Sequence, residues 1–286
     1  MKSGFLIVQL VLTIRIAEKP EGIMLQEMKL KLSGLAVLLL SSNPVMADEA
    51  IIHNMSGSHT NIVQITQYGG IFNANYSEIY QDYDALNEHA FITQAGYGNQ
   101  YASLYQNGGD NEVNVTQSGN HGTAFVYEGY YCFNSNATII QDFNSTNAYA
   151  LIDQNTDYGY GFNNSAYIFQ NSLTGDVATI IQQGGNNNAS ITQENNAGME
   201  MASSTQTGDF NSAIITQTYG ASDQIIIRQS GSGNQSAVQQ VSTYLCNASV
   251  DQSGESNIAS INQTGSFKVA TVTQTGSANN IAIIQH

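Results

Sequence analysis

The sequence is poor in proline, cysteine and basic residues. It has two prolines and two cysteines among 286 residues, and seven lysines and arginines against 22 aspartates and glutamates, for a formal net charge of −15. This acidity argues against nucleic acid as a partner, because few basic side chains remain to meet phosphate groups. It also predicts repulsion between copies of the chain, which salt would screen.

The sequence also lacks the unlike residues that converge in an active site. The histidines, His53, His59, His89, His121 and His286, have no metal-ligand spacing. No Gly-x-Ser-x-Gly elbow is paired with a histidine and an acid, and the acids are dispersed. We therefore expect a protein that is not an enzyme and that binds no metal or cofactor.

Residues 28–50 have the pattern of a secretory signal peptide. Lys29 and Lys31 form a basic start, residues 32–40 are apolar, and a small-residue cleavage pattern ends at Ala47. The apolar run is too short to span a membrane, so we expect cleavage after Ala47 and a mature chain that does not span the membrane. Residues 1–27 then form either a non-native extension, with translation starting at Met28, or part of a longer leader.

Removal of residues 1–47 would leave a chain with no proline, 2 basic and 19 acidic residues, and a formal charge of −17. A long chain of low charge that is rich in Asn, Gln and β-branched residues has the composition of cross-β stacking. We expect residues 48–55 to form a short N-terminal segment and residues 56–286 to form one repetitive domain.

One short phrase, Asn-x-Ala-x-Ile-x-Gln, dominates the rest of the chain. GESNIASINQ (254–263), GSFKVATVTQ (265–274) and GSANNIAIIQ (276–285) follow one another at a spacing of eleven residues. Counting by the closing residue gives 19 units, in one of which Glu128 replaces Gln. The closing glutamines are Gln67, Gln81, Gln94, Gln106, Gln117, Gln141, Gln154, Gln170, Gln182, Gln193, Gln206, Gln217, Gln229, Gln240, Gln252, Gln263, Gln274 and Gln285.

The marked residues of each unit stand two apart, which is the period of a β-strand and places them on one face. We expect that face to point inward and the Thr, Ser, Asn and Tyr between the marked positions to face water. Glycine two residues after many anchors permits a tight turn. The repeat therefore predicts an all-β fold, a β-solenoid in which two strand-and-turn units make one coil.

Stacked coils would bring like side chains into columns that bond along the solenoid axis. The expected stacking ladder is Gln67, Gln94, Gln117, Gln141, Gln182, Gln193, Gln217, Gln229, Gln252, Gln263, Gln274, Gln285, Asn61, Asn187, Asn211, Asn257 and Asn279. The expected polymerisation ends are Asn61, Ile65 and Gln67 on one side and Asn279, Ile283 and Gln285 on the other.

Glu128 has two interpretations. In one its side chain reaches water at an imperfect coil, since burying a charge is costly. In the other it is a brake on premature assembly, because an ionised carboxylate cannot donate to the next coil.

Cys132 and Cys246 lie about five coils apart, roughly 24 Å at the strand spacing of a sheet. We therefore expect two thiols that are not joined to each other.

The phrase Gly-x-x-Asn-x-Ala-x-x-x-Gln, present as Gly254, Asn257, Ala259 and Gln263, resembles the curlin repeat of curli fibre subunits. Copies recur at 184–193 and 208–217. The resemblance implies export through the periplasm, passage through an outer-membrane secretion pore, and polymerisation outside the cell, at the cell surface, with a nucleator subunit and accessory factors. The polymer would be amyloid-like cross-β.

The resemblance thus implies a major-subunit-like component of an extracellular fibre that assembles with itself, for biofilm matrix and adhesion. Three alternatives remain. In the first, the chain is the nucleator subunit. In the second, it is a monomeric β-solenoid adhesin or ice-binding protein that works through an outer Thr face. In the third, it is a carbohydrate-active β-helix enzyme. The last would need a cleft of clustered acids.

Overall fold

The computed structural model describes residues 10–15, 35–41, 49–54, 61–68, 75–82, 85–96, 98–154, 161–172 and 175–286. Within these ranges the chain forms 23 strands and no helix, so the predicted all-β class is confirmed. In chain order the strands are β1 (Leu10–Arg15), β2 (Leu35–Ser41), β3 (Glu49–Asn54), β4 (Ile62–Tyr68), β5 (Tyr76–Gln81), β6 (His89–Ala95), β7 (Tyr101–Gly109), β8 (Glu112–Gln117), β9 (Thr123–Phe133), β10 (Asn136–Gln141), β11 (Tyr149–Gln154), β12 (Gly161–Phe162), β13 (Ser165–Asn171), β14 (Val177–Gln183), β15 (Asn188–Glu194), β16 (Met201–Asp209), β17 (Ser212–Thr218), β18 (Gln224–Ser232), β19 (Gln235–Tyr244), β20 (Asn247–Glu255), β21 (Ile258–Ser266), β22 (Val269–Ser277) and β23 (Asn280–Gln285).

The strands are distributed between two sheets that face each other. Among the described residues, sheet A has the order β1-β3-β5-β7-β9-β11-β14-β16-β18-β20-β22, with β12 beside β9. Sheet B has the order β2-β4-β6-β8-β10-β13-β15-β17-β19-β21-β23. Each strand pairs with the second unit along the chain, so two units make one coil and the predicted β-solenoid is confirmed.

The coils stack in register and in parallel. Between β15 and β17, for example, Ala189 lies beside Ala213, Ile191 beside Ile215 and Gln193 beside Gln217. The antiparallel pair in the described part of the chain joins β1 to β3. Because the side-chain period of a strand is two, a parallel register without slip keeps the same residue type inward through successive coils.

The core lies between the two sheets and is built from the aliphatic members of the phrase. Along β14 the side chains alternate between half-buried and buried, and Ala178, Ile180 and Gln182 have no exposed surface. The same alternation runs through the other repeats, so the expectation that Asn, Ala, Ile and Gln point inward is confirmed. Burying these aliphatic columns stabilises the fold by about 25 cal/mol for each Å² of apolar surface removed from water.

Several turns contain glycine at positions where the backbone φ angle is positive and lies in a region that other residues avoid. Gly208, Gly231 and Gly254 have φ angles of 103°, 111° and 118°. A Cβ atom on Gly231 would also collide with the carbonyl oxygen of Gly254 in the next coil. These turns therefore stack as closely as the strands do, which only glycine allows.

The solenoid begins earlier in the chain than the repeat indicated. In β3, Ala50 and Ile52 are buried, and Ile52 and Asn54 lie beside Ile79 and Gln81. The signal was present as Ala50-x-Ile52-x-Asn54, which is the phrase with Asn in the Gln place. β1 and β2 fall within residues 1–47, and the expected cleavage position at Ala47 lies outside the described residues.

Candidate assembly site

The Gln ladder of sheet B runs from Gln67 to Gln285. In each coil the Nε2 atom of one Gln donates to the Oε1 atom of the Gln in the next coil, at distances of 2.8 to 3.1 Å. Every member before Gln285 is buried. Each buried amide thus has a partner along the axis, and one polar row ties the coils of sheet B together.

The Gln ladder of sheet A has one interruption. Gln154 starts a continuous run to Gln274, with distances of 2.7 to 2.9 Å. Below it, Gln81 donates to Gln106 at 3.0 Å, and Gln106 donates to Oε2 of Glu128 at 3.0 Å. Glu128 lies beside Gln154 in the register of β9 and β11, and no hydrogen bond joins these two side chains.

Glu128 is fully buried, so the interpretation in which its side chain reaches water is wrong. The register of the parallel sheet forces it inward with its Gln counterparts. Its Oε1 atom and the Oε1 atom of Gln154 both lack a hydrogen-bond partner. Burial raises the pKa of Glu128 to about 8, against the opposing effect of the hydrogen bond from Gln106. A protonated carboxyl would supply the donor that this step of the ladder lacks.

The Asn column of sheet B bonds to the backbone of neighbouring coils. Oδ1 of Asn211 accepts the backbone N–H of Asn234 at 3.1 Å, and its Nδ2 donates to the carbonyl oxygen of Gly231 at 2.9 Å. The arrangement recurs at Asn187, Asn234 and Asn257. One side chain thereby fixes both the register of the next strand and the carbonyl of the next turn.

Sheet A carries acids at the position that Asn occupies in sheet B, which the sequence analysis missed. Asp176, Glu200 and Asp223 stand six residues before Gln182, Gln206 and Gln229, and all three are buried. Asp176 Oδ1 accepts the N–H of Glu200, and Glu200 Oε2 accepts the N–H of Asp223, both at 3.1 Å. The same offset that marked Asn would have found this acid column.

Burial raises the pKa values of the acid column. It raises the pKa of Glu200 to about 8 and the pKa values of Asp176 and Asp223 above their ordinary range. Burial also raises the pKa of Glu88, which replaces Asn on sheet B, to about 9, and the nearby Glu128 adds to that shift. Oδ2 of Asp223 accepts from the hydroxyl of Thr243, and the other oxygen accepts the N–H of Cys246 at 2.7 Å.

The C-terminal coil presents the open edge of both sheets in the described chain. β22 and β23 each have a strand on one side, β20 and β21 respectively. The inward residues of β23 are therefore uncovered: Ile283 and Gln285 are half-buried, whereas Ile261 and Gln263 in the preceding coil are buried. Asn279 is likewise half-buried, so the three residues predicted at this end lie on an exposed edge.

The other predicted end is covered in the full chain. Asn61, Ile65 and Gln67 are all buried, and β4 lies between β6 and β2 of the same chain. Leu38 of β2 stands opposite Ile65 and Leu40 opposite Gln67. The apolar segment of the predicted signal peptide therefore occupies the place of one more strand of sheet B.

Both cysteines are buried free thiols, which confirms that they are not joined. Cys132 lies in β9 and Cys246 directly before β20, five strand positions along sheet A.

No group of three His, Cys, Asp or Glu in the described residues is placed to hold a metal ion. Nor does any described segment form a helix with the length and apolarity needed to cross a membrane.

Comparison with known proteins places one segment in a family. No curated protein matches the chain. Residues 87–119 match the family model of the curlin associated repeat. These residues include the three strands β6, β7 and β8, with Gln94, Gln106 and Gln117 as closing glutamines. The chain thus carries a curlin associated repeat within a β-solenoid.

Proposed function

We propose that the mature chain is the structural subunit of an extracellular curli-type amyloid fibre. One observation carries the proposal: the uncovered C-terminal coil presents the same columns, in the same register, that bind each coil to the next inside the molecule. A second copy placed on this edge would continue both sheets by strand addition. The fold and the curlin repeat support a structural role rather than catalysis.

The direction of the Gln ladder supports head-to-tail growth. Nε2 donates toward the C-terminal end through the ladder of sheet B, so amide donors face one end of the solenoid and acceptors the other. Gln285 Nε2 donates to the carbonyl oxygen of Val269 at 3.1 Å, which uses one of its two amide hydrogens. The second hydrogen fits an Oε1 acceptor on the N-terminal coil of another copy. Such a heterologous contact does not close and yields a filament.

Signal-peptide removal would prepare the receiving end. In the full chain β2 covers β4. Cleavage after Ala47 would remove β1 and β2 and leave Asn61, Ile65 and Gln67 without a strand on that side. We therefore propose that assembly follows export, and that the fibre lies outside the cell at its surface, in the biofilm matrix. The nucleator, the outer-membrane pore and the accessory factors are proposed on the curlin resemblance.

The direct test is to purify residues 48–286 and to look for fibres by electron microscopy. We expect unbranched fibres with a strand spacing of about 4.8 Å along their axis by fibre diffraction. A soluble monomer that persists at high concentration would contradict the proposal and would favour the monomeric adhesin.

The growing end can be tested with a matched pair of variants. Gln285→Ala removes the last amide of the ladder and should slow elongation from preformed seeds, followed by thioflavin fluorescence. Ser260 lies on the exposed face of β21, so Ser260→Ala should leave the elongation rate unchanged. Equal elongation rates for the two variants would argue against growth through this edge.

A further inference from the structure

Two columns of aromatic side chains lie on the outer face of sheet A, at the N-terminal end of the solenoid. One column contains Tyr80, Tyr105 and Tyr127 on β5, β7 and β9. Their ring centroids are 5.3 and 4.7 Å apart, and the ring planes differ by 8° and 9°. A second column begins with Tyr76 and Tyr101, whose ring centroids are 4.9 Å apart and whose planes differ by 6°, and it continues through Phe125 and Tyr149. The fibre mechanism uses none of these rings.

We propose that the column of Tyr80, Tyr105 and Tyr127 is a site of oxidative dityrosine cross-linking between neighbouring coils. The oxidant is hydrogen peroxide acting through a haem peroxidase, and the modification does not depend on fibre formation. Two phenols each lose one electron and one proton, and the peroxide is reduced to two molecules of water. The two phenoxyl radicals join through a carbon–carbon bond between ortho carbons. Each ortho hydrogen then moves to its own phenol oxygen, which restores both aromatic rings.

The geometry favours coupling between tyrosines that are stacked on neighbouring coils over coupling between tyrosines that are not. A radical formed on one ring has a second phenol directly beside it, held there by the parallel register of the strands. Among the tyrosines that the structure describes, Tyr105 and Tyr127 form the closest stacked pair, and Tyr127 is 38% exposed, which lets an oxidant reach the pair. The product expected in highest yield is therefore the link between Tyr105 and Tyr127.

Tyr105 also has an acceptor for the proton that it must lose. Its hydroxyl donates to Oδ2 of Asp82 at 3.0 Å. Burial, with Asp82 adding to the effect, raises the pKa of Tyr105 to about 12, so the phenol keeps its proton at neutral pH. Loss of an electron makes a phenol strongly acidic, and Asp82 stands where the proton leaves.

The chain contains its own controls. Tyr149 and Tyr244 face phenylalanines, Phe125 at 5.9 Å and Phe267 at 5.6 Å, and a phenyl ring forms no phenoxyl radical. Tyr219 and Tyr244 are 62% and 47% exposed, so the oxidant reaches them more easily than it reaches Tyr105. If accessibility alone determined the product, oxidation would occur mainly at Tyr219 and Tyr244. If stacking determines it, the coupled residues are those of the Tyr80, Tyr105 and Tyr127 column.

The experiment is to treat the purified full chain with hydrogen peroxide and a haem peroxidase, and then to map dityrosine by fluorescence and by mass spectrometry of proteolytic peptides. We expect an intrachain link between Tyr105 and Tyr127 whose yield per chain does not change with protein concentration. Tyr105→Phe keeps the stacked ring and should lose this link, while Tyr244→Phe should retain it. Circular dichroism checks that both variants keep the strand content of the parent chain.

Three results would overturn the proposal. They are no dityrosine in the folded chain, links that map mainly to Tyr219 or Tyr244, and a yield that rises with protein concentration because the links join different chains. Oxidation in urea adds a further comparison, since the unfolded chain should lose the preference for Tyr105 and Tyr127. The same preference in urea would show that sequence proximity, and not stacking, selects the pair.

Discussion

At the scale of single residues, the exceptions to the repeat carry the most information. Glu128 replaces Gln inside a buried ladder, and its neighbour Gln154 has an Oε1 atom with no donor. Ser204 takes the place that Ile, Leu or Val holds in the other units, and its buried hydroxyl has no hydrogen-bond partner. Each exception interrupts a column of chemically similar side chains, so each has a defined repair.

The first prediction concerns Glu128 and pH. Its pKa is about 8 in the folded chain, against an ordinary value of 4.5, so between these values the folded state binds more protons than the unfolded state. The contribution of Glu128 to stability is therefore greatest at or below pH 4.5 and falls as the pH rises to about 8, by up to roughly 1.4 kcal/mol per pH unit. Glu128→Gln should remove this group's contribution, as measured by urea unfolding at pH 5, 7 and 9.

Glu88 and Glu200 titrate in the same direction, so the variant should weaken the pH dependence without abolishing it. The matched control is Glu112→Gln, whose side chain is exposed. If Glu128 is a brake on assembly, Glu128→Gln should also shorten the lag before fibres form at pH 8. An unchanged lag and an unchanged pH dependence would remove Glu128 from both roles.

The second prediction concerns Ser204. It lies between Ile180 and Ile227 in the register of β14, β16 and β18. Ser204→Val would remove a buried, unpartnered hydroxyl and extend the aliphatic column, for a gain of about 1–3 kcal/mol. Ser203→Val, one residue earlier on the outer face, should change the free energy of unfolding little. Equal effects in urea denaturation would show that general β-propensity, and not the column, determines the result.

At the scale of elements, each strand of this solenoid supplies one side chain to each inward column of its own sheet. Gln217 accepts from Gln193 at 2.9 Å and donates to Gln240 at 3.1 Å. Removing one Gln therefore leaves a donor on one neighbour and an acceptor on the other. The ladders couple β15, β17 and β19 as a unit, beyond what the backbone hydrogen bonds provide.

The third prediction follows from this coupling. Gln217→Ala should destabilise the chain by on the order of 3 kcal/mol, because two buried polar groups lose their partners. Thr216→Ala, on the outer face of the same strand, should cost less than about 1 kcal/mol. Urea unfolding followed by circular dichroism measures both. A smaller loss for Gln217→Ala than for Thr216→Ala would contradict a stabilising role for the ladder.

At the scale of the whole molecule, the proposed assembly must overcome a large like charge. The chain from residue 48 has a formal charge of −17. Joining two copies brings these charges together, and the screening length falls from about 10 Å at 0.1 M salt to about 3 Å at 1 M. The ladders provide the attraction between copies, while salt sets how much repulsion opposes it.

The fourth prediction is that added sodium chloride accelerates elongation from seeds of residues 48–286. Seeded thioflavin assays at constant pH between 0.05 and about 0.5 M salt would measure this effect. Asp251→Asn, which removes one exposed charge near the open edge, should weaken the salt dependence. A rate that stays constant or falls with salt would show that charge repulsion does not limit growth.

The sequence by itself determined the strands, their inward faces and the coil of two units, because these depend on a period of two and on glycine at the turns. Asn257, Ala259, Ile261 and Gln263 are buried as the phrase requires. This part of the fold could be predicted because the information is local and is repeated in every unit.

Only the tertiary structure decided the environment of each exception to the repeat. It buried Glu128, placed Asp176, Glu200 and Asp223 in one column, and stacked Tyr105 on Tyr127. These contacts join residues about 22 to 24 positions apart, across turns of unequal length. Their physical consequences depend on register and desolvation, which one unit of the repeat does not contain.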